Sequence, residues 1–228
     1  MQTIEDIGKY TFPALYKNSI KKFGNLKALS FVNTKPITYN ELADLTDRAA
    51  SLLHSLGIKK GDKVAIYSTS TLNYGAIAVP LLPDFSEVEV KSILEHAEVS
   101  GIFVAPKMYN RLKDIDEKLL PFIINIDDFS IFKGKTIDFN SWKLEEATVE
   151  EEDTASIIYT SGTTGRSKGV ELSHKNLVWC AIQCQTVHRV NKRDICLSFL
   201  PLSHVYEFTI GFAMMMLNGA CVYYLGKP

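Results

Sequence analysis

Apolar positions along the chain switch between two spacings, and the switching sketches a fold. Leu42, Leu45, Ala49, Leu52, Leu53 and Leu56 recur at helical intervals until Gly57, and Thr38 with Glu41 has the spacing of a capping box. A short apolar run over 63–68 then predicts a strand. Ser86 with Glu89 repeats the capping box and predicts a helix through about 98, followed by a strand over 101–105. Pro106 suits a helix start, which 111–119 continues, and 122–126 predicts another strand. Beyond a polar stretch, 155–160 is a β-branched run with the character of a buried strand. Ser173 caps a helix through about 187, 195–199 is a short strand, 205–217 an apolar helix and 221–225 a final strand. This alternation predicts an α/β fold, with layered parallel or mixed sheets and flanking helices.

Two stretches depart from the pattern. The polar, irregular segment at about 127–153 crowds Glu145, Glu146, Glu150, Glu151, Glu152 and Asp153 before the strand at 155–160. It reads as a solvated connector, with a carboxylate metal site as the alternative. The strand ending near 68 and the one starting near 76 are separated only by 69–75, whereas parallel neighbours joined through a helix need a dozen residues or more. The expectation is a local hairpin or a lost strand, with exposed sheet surface lowering stability by about 25 cal/mol per Å².

The densest chemistry lies where the strand at 155–160 opens into Ser161-Gly162-Thr163-Thr164-Gly165, with Lys168 close behind. Glycines let main-chain N–H groups approach an anion without an intervening Cβ, hydroxyls add donors, and the lysine supplies a mobile positive charge. A Gly/Ser/Thr turn that happens to carry a lysine is the bland reading. Six small or hydroxylic residues from Thr160 to Gly165, followed by Lys168-Gly169, favour an oligophosphate cradle. The P-loop pattern G-x-x-x-x-G-K-[ST] does not fit from Gly162, because Ser167 replaces its second glycine and Gly169 its Mg²⁺-binding hydroxyl.

The segment 159–170 instead resembles the phosphate loop of the adenylate-forming superfamily, [ST]-S-G-[ST]-T-G-x-P-K-G-V, with Ser167 in place of the proline. Pro36-Ile37-Thr38-Tyr39-Asn40-Glu41-Leu42, the run 57–66 and Val79-Pro80-Leu81-Leu82-Pro83 resemble its earlier elements. Leu200-Pro201-Leu202-Ser203-His204-Val205-Tyr206-Glu207 is similar to a motif of long-chain fatty acyl members. The resemblance implies that residues 1–228 are part of an N-terminal AMP-binding domain, incomplete relative to a typical member, with the C-terminal domain absent. It also implies a helix between the strands near 68 and 76, as if such an element had been deleted here.

What the resemblance implies about chemistry is an ATP-dependent fatty acid–CoA ligase. A carboxylate attacks the α-phosphate of Mg²⁺-bound ATP, pyrophosphate leaves, and the acyl adenylate is captured by the thiol of coenzyme A. Thr160, Ser161, Gly162, Thr163, Thr164, Gly165 and Lys168 would bind the departing phosphates, whose growing charge fixed donors stabilise. His204 would lie near the acyl carboxylate, to orient it or to respond to ATP; a structural histidine is the competing reading. Support for Glu207 is weaker, because Phe208 stands where long-chain members often carry arginine.

Composition narrows the partners. Charged residues make up 22% and the formal net charge is -1, so no basic field for nucleic acid exists. The first residues lack the basic and apolar regions of a signal peptide, and the longest apolar run, 208–217, is shorter than the about 20 residues a membrane span needs. A cytoplasmic protein with at most peripheral membrane contact is expected. Cys180, Cys184, Cys196 and Cys221 form no C-x-x-C and are expected to be reduced. Cys180, Cys184 and His188 would share one helical stripe, where buried thiols are favoured over a metal site without an evident fourth ligand. The remaining histidines, His54 and His96 among them, read as surface or helix-packing residues, and Trp179 and Met214–Met216 as core, the methionines also able to border an acyl channel.

Two functional readings follow: a piece of the ligase, inactive alone and dependent on a longer or complementary C-terminal chain, or a non-catalytic degenerate product with at most weak nucleotide or protein binding.

Overall fold

A computed structural model describes residues 2–67, 75–112, 114–134, 148–160 and 167–225. In chain order the elements are α1 (Ile4–Ile7), α2 (Phe12–Phe23), β1 (Lys27–Phe31), β2 (Ile37–Thr38), α3 (Tyr39–Ser55), β3 (Lys63–Tyr67) and β4 (Ile77–Pro80). Then come α4 (Glu87–Ala97), β5 (Gly101–Val104), α5 (Pro106–Tyr109), β6 (Ile123–Asn125), β7 (Ile131–Lys133), β8 (Thr154–Thr160) and β9 (Lys168–Ser173). The last are α6 (His174–Cys184), β10 (Ile195–Ser198), a π-helical stretch Glu207–Met214 running into α7 (Met215–Asn218), and β11 (Cys221–Tyr224). They form two compact units, one of residues 1–47, 149–153 and 173–228, the other of residues 48–148 and 154–172.

The first unit holds a four-stranded sheet in the order β10-β11-β1-β2. β11 lies parallel to β10 and to β1, and β2 closes the far edge antiparallel. Tyr39, fully buried at the start of α3, donates its hydroxyl to the Ala220 carbonyl at 2.8 Å. Glu150 and Glu151 do more here than solvate a connector. Glu150 pairs with Lys9 at 2.9 Å, and Glu151 accepts the Tyr10 amide at 3.0 Å.

The second unit is built on a seven-stranded sheet, β7-β6-β5-β3-β4-β8-β9. The capping box on α4 is realised, with Glu89 N bonded to Ser86 Oγ and Ser86 N to the Glu89 carboxylate. From that start, α4 turns Val90, Ile93, Leu94 and Ala97 inward, each at most 3% exposed. They pack in one cluster with Ala65 and Tyr67 of β3, Val79 of β4, Ile102 and Val104 of β5, and Ile157 and Tyr159 of β8. Burying Val90, Ile93 and Leu94 contributes about 1.5–3 kcal/mol each, which holds α4 against this cluster.

The short connection after β3 does not abolish the parallel arrangement. β3 and β4 pair parallel in register from Lys63↔Ile77 to Ile66↔Pro80. Returning along a four-residue strand requires about 13 Å, and residues 68–76 reach roughly 30 Å when extended, so no helix is needed. The expected hairpin or lost strand is therefore corrected; residues 68–74, and with them the deletion, lie outside the described residues.

Other expectations are corrected locally. The helix expected to continue over 111–119 stops at Tyr109 and gives way to turns in which Leu112 N bonds to Tyr109 O, Ile115 N to Leu112 O and Leu119 N to Asp116 O. Farther along, Asp116 accepts the Lys118 amide on its side chain at 2.8 Å, a side-chain-to-backbone bond that favours a turn over helix at 116–118. Part of the predicted connector is strand: β7 pairs antiparallel with β6. Residues 135–147 of it lie outside the described residues.

Helix α6 ends at Cys184 rather than near 187 and continues as turns in which Val187 N and His188 N both bond to Cys184 O; Cys180 and Cys184 keep their sulfurs 3.9 Å apart. Trp179 is half exposed rather than core, because α6 turns Leu177, Val178, Ala181 and Ile182 inward and leaves position 179 on the outer face. The apolar helix near the C-terminus is π-helical over Glu207–Met214, its wider turns seating the buried Glu207 carboxylate against Gly211 where a Cβ would collide with it. Met214, Met215 and Met216 are buried, as expected.

Candidate functional site

β8 is buried from Ala155 to Tyr159 and emerges at Thr160, its last residue. It runs parallel to β4, paired at Ala78↔Ser156, so Thr160 stands at the carboxyl end of a strand in a largely parallel sheet. Ligands of open α/β sheets bind beyond those ends, where loops leave the core and main-chain groups are free to turn toward them. Lys168 opens β9, the neighbouring edge strand, and is exposed. Thr160 and Lys168 thus bracket the interval 161–167 from adjacent strands. None of the ion pairs among the described residues involves Lys168, so its charge is presented to solvent. Ser161, Gly162, Thr163, Thr164 and Gly165 lie outside the described residues.

The strand ends are set by what lies beneath them. Tyr159, only 5% exposed, places its hydroxyl 2.6 Å from Nδ1 of His96 on the last turn of α4, with the two rings perpendicular. Burial pushes the Tyr159 phenol up from its ordinary value, so it stays a neutral hydroxyl. On the β9 side, a Cβ at position 169 would stand 2.9 Å from Ile157 Cγ2 and 3.2 Å from Tyr159 Cζ. Only glycine lets β9 run this close. By sequence His96 reads as a packing or surface residue; its partner is 63 positions away, and no local signal joins them.

His204 belongs to the other unit. It lies in the turn preceding the π-helical stretch, and its Nδ1 accepts the Tyr206 amide at 3.2 Å while its carbonyl accepts the Phe208 amide at 3.0 Å. Nδ1 is therefore unprotonated and the ring proton sits on Nε2, a donor on an exposed side chain. Glu207 is buried, 5% exposed, and so is not a surface partner for His204. His174 is structural: buried, it accepts the Phe12 amide on Nδ1 at 3.3 Å. Among the described residues no group of three His, Cys, Asp or Glu side chains could hold a metal ion, and all four cysteines are free.

Known proteins resemble this chain in sequence and in fold. A 3-[(3aS,4S,7aS)-7a-methyl-1,5-dioxo-octahydro-1H-inden-4-yl]propanoyl:CoA ligase of Rhodococcus jostii is 28% identical over 93% of this chain and 47% of its own length. Long chain acyl-CoA synthetase 5 of Arabidopsis thaliana is 28% identical over 83% of this chain and 33% of its own. The chain thus spans half or less of the length of these curated relatives. Among solved structures, the inhibitor-bound N-terminal domain of FACL13 from Mycobacterium tuberculosis superposes with a TM-score of 0.81 at 23% identity, over 96% of this chain and 57% of that one. ATP-bound MatB from Rhodopseudomonas palustris gives a TM-score of 0.76 at 22% identity, covering 92% of this chain and 44% of that one. These two likenesses establish the fold. The AMP-binding enzyme profile matches residues 16–228, taking in both sheets, the strand pair that brackets 161–167 and the turn bearing His204, and a match of that extent means that the chain belongs to the AMP-binding enzyme family.

Proposed function

We propose that this chain contributes the leaving-group cradle of an ATP-dependent acid–CoA ligase, with residues 160–168 holding the triphosphate of MgATP while a fatty acid carboxylate attacks the α-phosphorus. The observation that carries the reading is the placement of Thr160 as the last residue of β8 and Lys168 as the first of the neighbouring strand β9, both exposed. Ser161, Gly162, Thr163, Thr164 and Gly165 supply hydroxyls and main-chain amides between them. Negative charge grows on the departing pyrophosphate, and donors already fixed in place lower that barrier without reorganising. Mg²⁺ enters bound to the substrate phosphates.

In the same reading, His204 uses its Nε2–H to orient the acyl carboxylate, its tautomer held by the Tyr206 amide on Nδ1. A fatty acyl substrate is supported by the segment 200–207 and by the relatives named long-chain acyl-CoA synthetases. Residues 1–228 then form the N-terminal part of the adenylating domain, and on their own they bind nucleotide without completing thioester formation, in keeping with the greater length of the relatives. A peripheral contact with membranes would deliver such a substrate; no helix among the described residues is long and apolar enough to cross one.

Titration calorimetry of the 228-residue chain with MgATP tests this. Lys168→Ala removes a charge-assisted contact of about 1.5–3 kcal/mol and should weaken binding by roughly tenfold or more. Unchanged affinity excludes these residues as the phosphate site and favours a non-catalytic role. Acyl-CoA formation by the isolated chain from fatty acid, MgATP and coenzyme A would overturn the claim that it is insufficient alone.

A further inference from the structure

We infer that His96 and Tyr159 are positioning residues: a brace between the end of α4 and the end of β8 that sets the separation of Thr160 and Lys168, and so the fit of the cradle to a triphosphate. The inference rests on the phosphate reading above and adds residues outside the loop to it.

Three observations converge. Tyr159 immediately precedes Thr160, and its buried hydroxyl meets His96 Nδ1 at 2.6 Å. The same ring also limits β9, since a Cβ on Gly169 would lie 3.2 Å from Tyr159 Cζ and 3.4 Å from its hydroxyl oxygen, one residue after Lys168. Finally, α4 is itself immobilised by Val90, Ile93, Leu94 and Ala97, all buried in the cluster that contains Tyr159. A displacement of the Tyr159 ring therefore passes in one direction to Thr160 through the chain and in the other to Lys168 through Gly169. Phosphate oxygens are recognised at hydrogen-bonding distance, so a change of a few tenths of an ångström between donors on two strands weakens every contact they share.

The geometry separates this from packing alone. The bond is to Nδ1, the nitrogen nearer the main chain, which an asparagine amide can replace and a glutamine amide, extending one carbon farther, cannot.

The test is titration of the 228-residue chain with MgATP and with inorganic pyrophosphate for wild type, His96→Ala, Tyr159→Phe, the double variant, His96→Asn, His96→Gln and Lys168→Ala. Urea midpoints and amide exchange at Thr160, Lys168 and Gly169 are read alongside. The expected result is about three- to tenfold weaker binding for His96→Ala and for Tyr159→Phe, no further loss in the double variant, and recovery in His96→Asn but not His96→Gln. Exchange at the three amides rises in the weakened variants and returns in His96→Asn. If Lys168→Ala weakens binding while His96→Ala and Tyr159→Phe keep wild-type affinity, the brace is overturned and the phosphate site stands. If Lys168→Ala has no effect, the phosphate reading fails, and unaltered amide exchange in His96→Ala then sinks the brace as well. Should Tyr159→Phe not fold, the contrast between His96→Ala, His96→Asn and His96→Gln decides the matter by itself.

Discussion

Replacing Gly169 by alanine adds one methyl group on β9 beside the neighbouring strand β8. An ideal Cβ there lies 2.9 Å from Ile157 Cγ2 and 3.2 Å from Tyr159 Cζ, the first shorter than real Cβ contacts and the second among the tightest. Neither neighbour can yield cheaply. Ile157 is β-branched, stiff about χ1 and 7% exposed in the core, while Tyr159 is held by its hydrogen bond to His96. The strain must therefore move β9 outward or push Tyr159 into the α4 cluster, and overpacking of this kind costs about 1–3 kcal/mol. With a urea slope of about 2–3 kcal/mol/M for a domain of this size, the unfolding midpoint should fall by roughly 0.3–1.5 M, followed by tryptophan fluorescence and far-UV dichroism together. Because Lys168 is adjacent, MgATP affinity should fall as well, measured under conditions where the variant is fully folded. A midpoint within 0.1 M of wild type, in the same experiment, would show that β9 is not held against Ile157 and Tyr159 and would refute the argument.

Two further outcomes follow from other parts of the chain. The Glu89 carboxyl is held below its ordinary value by the Ser86 side chain and then by the Ser86 amide, so its contribution to stability is present above the unfolded-state value of 4.5 and is lost as pH falls through the lower folded value. Glu89→Gln should accordingly unfold at lower urea than wild type at pH 7, with the gap closing between pH 5 and 3; a gap independent of pH in urea titrations would contradict the capping assignment. On β10, an edge strand among the described residues, Ile195 and Leu197 are 71% and 57% exposed, an arrangement that invites strand-to-strand association. Leu197→Lys should reduce concentration-dependent self-association in sedimentation velocity, and identical profiles for both proteins would rule that strand out as the contact.

Helix starts were legible because capping is a local matter of three or four residues. Thr38 with Glu41 and Ser86 with Glu89 each form the bonds that their spacing announced. Strands β3, β5, β8 and β11 were equally visible, since buried runs of β-branched and aromatic residues have few other uses. Helix ends were less so: α5 gives way after Tyr109 to a succession of turns, and α6 gives way to turns after Cys184, neither of which the hydrophobic spacing announces.

The sequence alone thus determined the α/β class, the capped starts of α3 and α4, and the buried strand leading to Thr160 with Lys168 beyond it, because each rests on residues within one turn or one strand of each other. Tertiary structure decided the rest. Whether β3 and β4 could lie parallel across a short link depended on the reach of the chain between sheet positions, a quantity that residue spacing does not carry. Whether Trp179 was core depended on which face of α6 met the unit. Whether the ends of β8 and β9 are held in place depended on His96, Tyr159 and Gly169, which lie on three elements; only the folded chain brings His96 to the Tyr159 hydroxyl and leaves no room for a Cβ at 169.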